Sequence, residues 1–230
     1  MYILHLETAI SPSSFAICTR EQCIFEKILE TERSTISQLL PAIDEAFKTL
    51  SLTKKDIVAV SLSAGPGSYT GLRIGTSTAK ALCYAWEIPL IAISTLALTA
   101  SAMKQLSKDE NDLLIPMIDF KRMEVVYAMY DFNLNIVVPE KNTILESSLF
   151  DAFRDKKILF GGNGSFKAKE LFRHLSAYFL DENVHLSRFC VPLVWNYFDK
   201  KQFADLAYFE PNYGKEYLAK KSQVKGLQPQ

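Results

Sequence analysis

Several things are scarce in this 230-residue chain. There is no surplus of charge: Lys plus Arg and Asp plus Glu number 26 each, so no global field draws the protein to nucleic acid or to a membrane surface. Histidine is rarer still. His5, His174 and His185 stand far apart, so the HxxxH and HExxH spacings that hold a catalytic metal do not occur. The four cysteines, Cys18, Cys23, Cys83 and Cys190, form no CxxC pair. With no signal sequence at Met1-Tyr2-Ile3-Leu4-His5 they read as reduced thiols, and the expected compartment is the cytoplasm. The longest apolar region, 88–103, is broken by Pro89, Ser94, Thr95, Thr99 and Ser101, which excludes a membrane span there. No GxSxG nucleophile motif is present. What remains is the composition of an ordinary globular protein, 48% apolar and 23% charged, long enough for one large domain or two small ones.

What the chain does contain is a glycine loop, Ala64-Gly65-Pro66-Gly67-Ser68-Tyr69-Thr70-Gly71-Leu72-Arg73-Ile74-Gly75. It follows the apolar run 57–62 and opens an Ala-rich helical pattern ending at Trp86. Strand, glycine loop and helix is the arrangement in which backbone amides converge at a helix N-terminus and can hold an anion. The spacing fits neither common phosphate loop. The loop reaches no lysine before Lys80, and a dinucleotide fingerprint starting at Gly65 would need glycine where Thr70 stands. The simpler reading is that Gly65 and Gly67 supply backbone conformations closed to other residues, while Ser68 or Thr70 caps the helix.

The N-terminus reads as three strands, 2–7, 15–19 and 23–28, with a turn at Arg20-Glu21-Gln22. A helix over 36–50 follows from the spacing of Ile36, Leu39, Leu40, Ile43, Ala46, Phe47 and Leu50; Ser34 or Thr35 would cap it, and Pro41 implies a bend or a late start. Strand 57–62, helix 71–86, strand 88–93 and helix 95–105 complete a ribonuclease H-like order. After the polar linker Lys108-Asp109-Glu110-Asn111-Asp112 the pattern restarts: strands 113–119, 124–130 and 134–138, then strand 157–160, Gly161-Gly162-Asn163-Gly164 and helix 165–175. Two halves on one plan predict an α/β protein with the duplicated ribonuclease H-like fold of the actin-like ATPases. The expected division is 1–107, 108–209 and a tail, 210–230, whose last residues carry Lys215, Lys220, Lys221 and Lys225.

An acid ends the first strand of each half, Glu7 and Asp119. In a duplicated ATPase such acids serve a metal-bound phosphate, and glycine follows each so that the backbone can approach. Here Thr8-Ala9 and Phe120-Lys121 follow, which makes both phosphate loops degenerate. Glu7, Gly65, Gly67 and Asp119 are the candidates for a cofactor site. The competing reading makes the two acids caps of nearby backbone amides. A kinase or ATPase with its own site around Glu7, Gly65–Gly71 and Asp119 is the alternative to a protein without catalytic residues.

Helix 71–86 carries an unusually wide apolar arc. At about 100° per residue, Leu72, Ile74, Gly75, Thr78, Ala79, Ala81, Leu82, Cys83 and Ala85 cover about 200° and leave Arg73, Ser77, Lys80 and Tyr84 polar. A helix lying on a sheet needs little more than about 100°. The excess predicts a second neighbour at the Gly71, Gly75, Ala79 ridge, either helix 36–50 or another chain.

The loop Gly65–Gly75, followed by Ile91-Ala92-Ile93-Ser94-Thr95-Leu96, closely resembles the TsaB (YeaZ) family. Supporting matches are Ile3–Ala9, Leu39-Leu40-Pro41, Pro116-Met117-Ile118-Asp119 with Arg122-Met123-Glu124-Val125, and Glu210-Pro211-Asn212-Tyr213. The resemblance implies a subunit with neither catalytic residues nor a cofactor or metal of its own. Its partner would be a TsaD-like threonylcarbamoyl transferase that modifies adenosine beside the tRNA anticodon. A TsaE-like ATPase, tRNA held through the complex, and a homodimer when the chain is alone are implied as well; ATP or ADP would lie at the surface shared with the partner. The first two long helices would form that surface, through Leu39, Leu40, Ile43, Phe47, Leu72, Arg73, Gly75, Thr76, Ala79 and Lys80. The chain departs from the family pattern at Thr35, where many relatives carry His, and at Phe120-Lys121 in place of Ala-Arg.

Overall fold

Apolar residues at four of the six positions of Tyr2–Glu7, with His5 and Glu7 buried among them, make β1 a strand covered on both faces, and it lies at the centre of the first sheet. In the computed structural model, which describes residues 1–30, 32–108, 110–180 and 184–214, β2 (Ser13–Cys18) and β3 (Cys23–Leu29) pair antiparallel on one side of β1. On the other side β4 (Ile57–Ser63) and β5 (Leu90–Ile93) run parallel, giving the order β3-β2-β1-β4-β5. Crossovers carry the chain between the parallel strands: α1 (Glu32–Thr49) ahead of β4, α2 (Tyr69–Trp86) between β4 and β5. Both helices cover one face of the sheet, where Leu39, Ile43, Ala46, Ala79 and Cys83 meet Leu4, Leu6, Phe15 and Leu62.

The second sheet repeats the first strand for strand. β6 (Leu113–Asp119) is central, β7 (Glu124–Tyr130) and β8 (Ile136–Ile144) are antiparallel to one side, and β9 (Ile158–Gly161) and β10 (Ala177–Phe179) are parallel on the other. The order β8-β7-β6-β9-β10 matches β3-β2-β1-β4-β5, so the duplicated plan is present. α3 (Thr95–Leu106) lies between the two halves, with Leu96, Ala100 and Met103 packed against Leu114, Ile118, Val126 and Leu159. α4 (Ser165–Leu171) leaves the second glycine turn, and a cluster of Phe150, Phe160 and Phe172 fills the outer face of the sheet.

Three expectations need correction. α1 starts at Glu32, so Ser34 and Thr35 lie inside it instead of capping it, and Thr35 is buried. The helix continues through Pro41, which sits on the solvent face where the missing N–H is least costly. α4 stops at Leu171, four residues short of its expected end, and β8 starts later and runs to Ile144. The third correction concerns α5 (Val191–Asp199). The sequence places 108–209 with the second half, yet Val191, Val194 and Trp195 pack under Ile3, Ala16, Ala59 and Ile91 on the far face of the first sheet.

Candidate functional site

The glycine loop forms where β4 ends, and Ser68 caps α2 by accepting a hydrogen bond from Gly71 N at 3.2 Å. Several of its amides and carbonyls are used inside the chain. Ser68 N donates to Ala9 O at 2.7 Å, Ala64 N to Ile93 O at 2.7 Å, and Thr95 N to Gly65 O at 2.9 Å. A final strap, 204–214, then crosses the loop. It begins as a bridge between Ala204 and Leu90, turns under Lys80 Nζ, which donates to Ala207 O and Phe209 O, and reaches Ala64, where Asn212 N donates to the carbonyl at 2.7 Å. Gly65 has φ +96°, and a Cβ there would stand 1.9 Å from Asn212 O. At Gly67 a Cβ would stand 2.5 Å from Ala9 O. The two glycines therefore admit the chain's own backbone, Asn212 against Gly65 and Ala9 against Gly67, while 67–70 still line an open cleft.

The two strand-end acids are not brought together. Glu7 is buried, accepting from Ala9 N at 3.0 Å and Ser63 Oγ at 2.7 Å, and burial pushes its carboxyl up to about 7. It faces a small cavity of about 10 Å³, room for one water, shared with His5, Thr99 and His185. Burial holds His5 down at about 3 and His185 at about 4, so both rings are neutral. His5 Nδ1 lies 2.9 Å from Ser61 Oγ. The His185 tautomer follows from its neighbours: Asn163 N donates to Nε2 at 3.1 Å, and Nδ1–H donates to Thr99 Oγ1, whose own proton goes to Thr95 O. Asp119 lines a different space, an open cleft of about 670 Å³ between the halves, and of the other candidates Gly67 shares it, with Ser68, Tyr69, Phe120, Lys121 and Asn163. Asp119 accepts from Lys121 N at 2.7 Å and pairs with Lys167 Nζ. Each acid thus caps a backbone amide two residues on. A joint metal or phosphate site would need both carboxylates in one space. No group of three or more potential metal ligands exists among the described residues.

The expected contact residues of the two long helices divide by exposure. Leu39, Ile43, Leu72, Gly75, Thr76 and Ala79 are buried, and Phe47 is half-buried against Trp86 at 5.6 Å between ring centroids. These positions serve the chain's own core. The ridge of α2 is occupied by the β1–β2 turn: a Cβ on Gly71 would lie 1.9 Å from Thr8 O, and one on Gly75 2.2 Å from Thr8 Oγ1. Sheet, α1, turn and strap cover most of the wide apolar arc, and Ala81 and Ala85 of it stay exposed. Lys80 is committed to the strap. Of the ten residues, Leu40 and Arg73 face solvent, and beside them stand Ile36 at 62% exposure and Tyr84 at 81%.

Against known proteins, the family model described as TsaD, tRNA N6-adenosine threonylcarbamoyltransferase, matches residues 29–219. The tRNA threonylcarbamoyladenosine biosynthesis protein TsaB of Bacillus subtilis is 27% identical, over 74% of this chain and 75% of its own length. TsaB of Buchnera aphidicola from Acyrthosiphon pisum is 31% identical, over 68% and 66%. The B. subtilis tRNA N6-adenosine threonylcarbamoyltransferase is matched over only 33% of its length. The chain belongs to the TsaB (YeaZ) branch of this family. The solved structure of YeaZ from Pseudomonas aeruginosa has the same fold, with a TM-score of 0.80, 18% identity and coverage of 92% of this chain and 99% of that one.

Two parts of the site escaped the sequence. The strap and His185 both act on residues more than 80 positions away, Ala64 and Thr99, and neither sits in a periodic segment that would announce it. The resemblance of Glu210-Pro211-Asn212-Tyr213 to the family's closing motif was the one available signal, and those residues are the ones that cross the glycine loop. The basic residues 215–230 lie outside the described residues.

Proposed function

We propose that this protein is a subunit without a reaction centre of its own that docks on a TsaD-like threonylcarbamoyl transferase and activates it for tRNA threonylcarbamoyladenosine formation. The observation that supports the reading is the separation of the two acids, Glu7 buried beside a cavity with room for one water and Asp119 in the open cleft, with Gly65 covered by the chain's own strap. The names of the relatives supply the pathway. The docking surface is the solvent side of α1 and α2, where Ile36, Leu40, Tyr69 and Tyr84 are exposed among Arg73 and Ser77. Aromatic and Arg side chains of this kind are the usual anchors of protein interfaces. The same face would pair two copies when the transferase is absent. A TsaE-like ATPase and tRNA join through the complex, with ATP or ADP at the joint surface. The work would take place in the cytoplasm, where tRNA is modified.

The test is calorimetric affinity for a TsaD-like transferase. Leu40→Asp and Tyr84→Ala, both at exposed positions, leave the fold intact and weaken binding about tenfold or more each. Transferase activity rises on adding the wild-type chain and not on adding these variants. Unchanged affinity in both variants would refute the docking face. The isolated chain turns over ATP far more slowly than about 1 per second, the low end of typical enzymes; a rate above that, abolished by Asp119→Ala, would refute the absence of a reaction centre.

A further inference from the structure

In the middle of the strap 204–214, Leu206 and Phe209 pack against the core between the two long helices and the first sheet. Between them Tyr208 stands 86% exposed, more than any other large hydrophobic side chain among the described residues. The backbone that carries it is held from two sides. Asp205 Oδ1 accepts from Ala207 N at 2.8 Å and from Tyr208 N at 3.0 Å, and Phe209 N donates to Asp205 O at 2.8 Å. From α2, 127 positions away from Ala207 in the chain, Lys80 Nζ donates to Ala207 O at 3.0 Å and to Phe209 O at 3.2 Å. These are the carbonyls of the two residues that flank Tyr208. The next most exposed large hydrophobic side chain is Tyr84, at 81%. It lies one turn past Lys80 on α2, on the stripe that also carries Arg73 and Ser77. The fold thus gathers the two most exposed tyrosines, from distant segments, beside one lysine. Exposed apolar side chains scattered singly are ordinary; gathered ones form a patch that marks an interaction site.

We propose that the strap is part of the docking surface for the TsaD-like transferase, with Tyr208 as an anchor and Lys80 as the residue that positions it. The inference rests on the docking role proposed above and extends that face from α1 and α2 onto the strap. Continuity selects the occupant: Tyr208 joins Tyr84 at Lys80, and Tyr84, Arg73 and Leu40 belong to the same face. Preorganisation makes the ring an effective anchor. The hydrogen bonds around Tyr208 are made before a partner arrives, so its backbone has little freedom left to lose on binding. Tyrosine itself offers a large contact area and fixes only two side-chain torsions. Lys80 contributes through the strap, because its ammonium is spent on the two carbonyls.

The experiment is calorimetric affinity of the full chain for the TsaD-like transferase of the same cell, with thermal unfolding of each variant. Tyr208→Ala binds about tenfold more weakly or worse at unchanged Tm, as loss of an aromatic anchor at an exposed position does. Lys80→Met keeps the apolar stem, removes the donor and weakens binding by a similar factor. Combined with Tyr208→Ala it costs less than about threefold more, because the two residues act through one contact. Fully additive losses, or normal binding in Lys80→Met, would overturn the positioning role. Leu40→Asp separates this inference from the reading beneath it. Weak binding in Leu40→Asp with normal binding in Tyr208→Ala overturns the strap's part and leaves the α1–α2 face standing. Normal binding in both refutes the face and the strap together. Should Tyr208→Ala lose only self-association, the ring belongs to a contact between two copies of the chain, and the proposal is overturned.

Discussion

A single methyl group tests whether the small-residue ridge of α2 serves the chain's own core or a partner. On an open helix face, replacing Gly71 or Gly75 by Ala stabilises by about 1 kcal/mol, because Ala is the better helix former. On a tightly packed face the added carbon costs about 1–3 kcal/mol. At Gly71 the carbon would stand 1.9 Å from the Thr8 carbonyl oxygen, a backbone atom that moves only with the whole β1–β2 turn. The upper end of the range applies there, and the net loss is about 2 kcal/mol. At Gly75 the nearest atom is the Thr8 hydroxyl at 2.2 Å, which can rotate, so the net loss is about 1 kcal/mol. For a chain of this length these correspond to drops in Tm of about 4–8 °C and 2–4 °C. The measurement is thermal unfolding alongside partner affinity, with affinity taken on the folded fraction. Affinity stays near wild type in both variants, since Leu40, Arg73 and Tyr84 are untouched. A rise in Tm for Gly71→Ala, or lost affinity at unchanged Tm, would refute the packing argument.

Two further outcomes follow from the buried polar groups and the strap. His5 and His185 have folded values near 3 and 4, below their unfolded 6.5, so the stability they contribute is present above pH 6.5 and is lost as pH falls toward those values. Glu7 acts in the opposite sense: its folded value near 7 exceeds the unfolded 4.5, so its contribution is full below pH 4.5 and lost as pH rises through 7. Between pH 4.5 and 6.5 Glu7 offsets one histidine, leaving a slope of about 1.4 kcal/mol per pH unit; Glu7→Gln removes the offset and roughly doubles it, as read by urea unfolding, and equal slopes would contradict the assignment. Gly65→Ala places a carbon into Asn212 O at a positive φ and frees the strap, so hydrogen exchange at Asn212 N accelerates at least tenfold, about 1.4 kcal/mol of local stability, while β7 amides are unaffected.

The sequence disclosed every strand but the three-residue β10, and the duplication, because these depend on local signals. β1, β6 and β7 have the bounds that their apolar runs imply, and α2 begins two residues ahead of its expected start because Ser68 is its cap. What it could not disclose was who covers a given apolar face. The arc on α2 is equally wide whether a foreign helix or Thr8 of the same chain fills it, and only the tertiary fold distinguishes these. α1 starts early for a related reason: Thr35 looks like a cap by type, but it turns inward beneath the helix, where packing overrides capping preference. α5 is short, and its apolar residues give no hint that they return across the molecule to the first sheet. The separation of Glu7 from Asp119 was half legible, since the missing glycines argued against a phosphate site and the competing reading as amide caps fits both acids.

The path of the strap has a consequence for how the chain is made. Ala64 emerges early in synthesis, but its carbonyl partner, Asn212 N, and the Ala204 bridge to Leu90 come only near the end of the described chain. At about 5–20 residues per second, the roughly 150 residues between them take about 7–30 s to appear. During that interval the edge of β5 is unpaired, and the part of the first sheet's far face that Val191, Val194 and Trp195 later cover lies open. The first half therefore cannot reach its final packing as a separate early unit. Contacts of such long sequence separation form slowly, and a nascent chain stalled before Ala204 presents an unpaired strand edge to its neighbours and to chaperones.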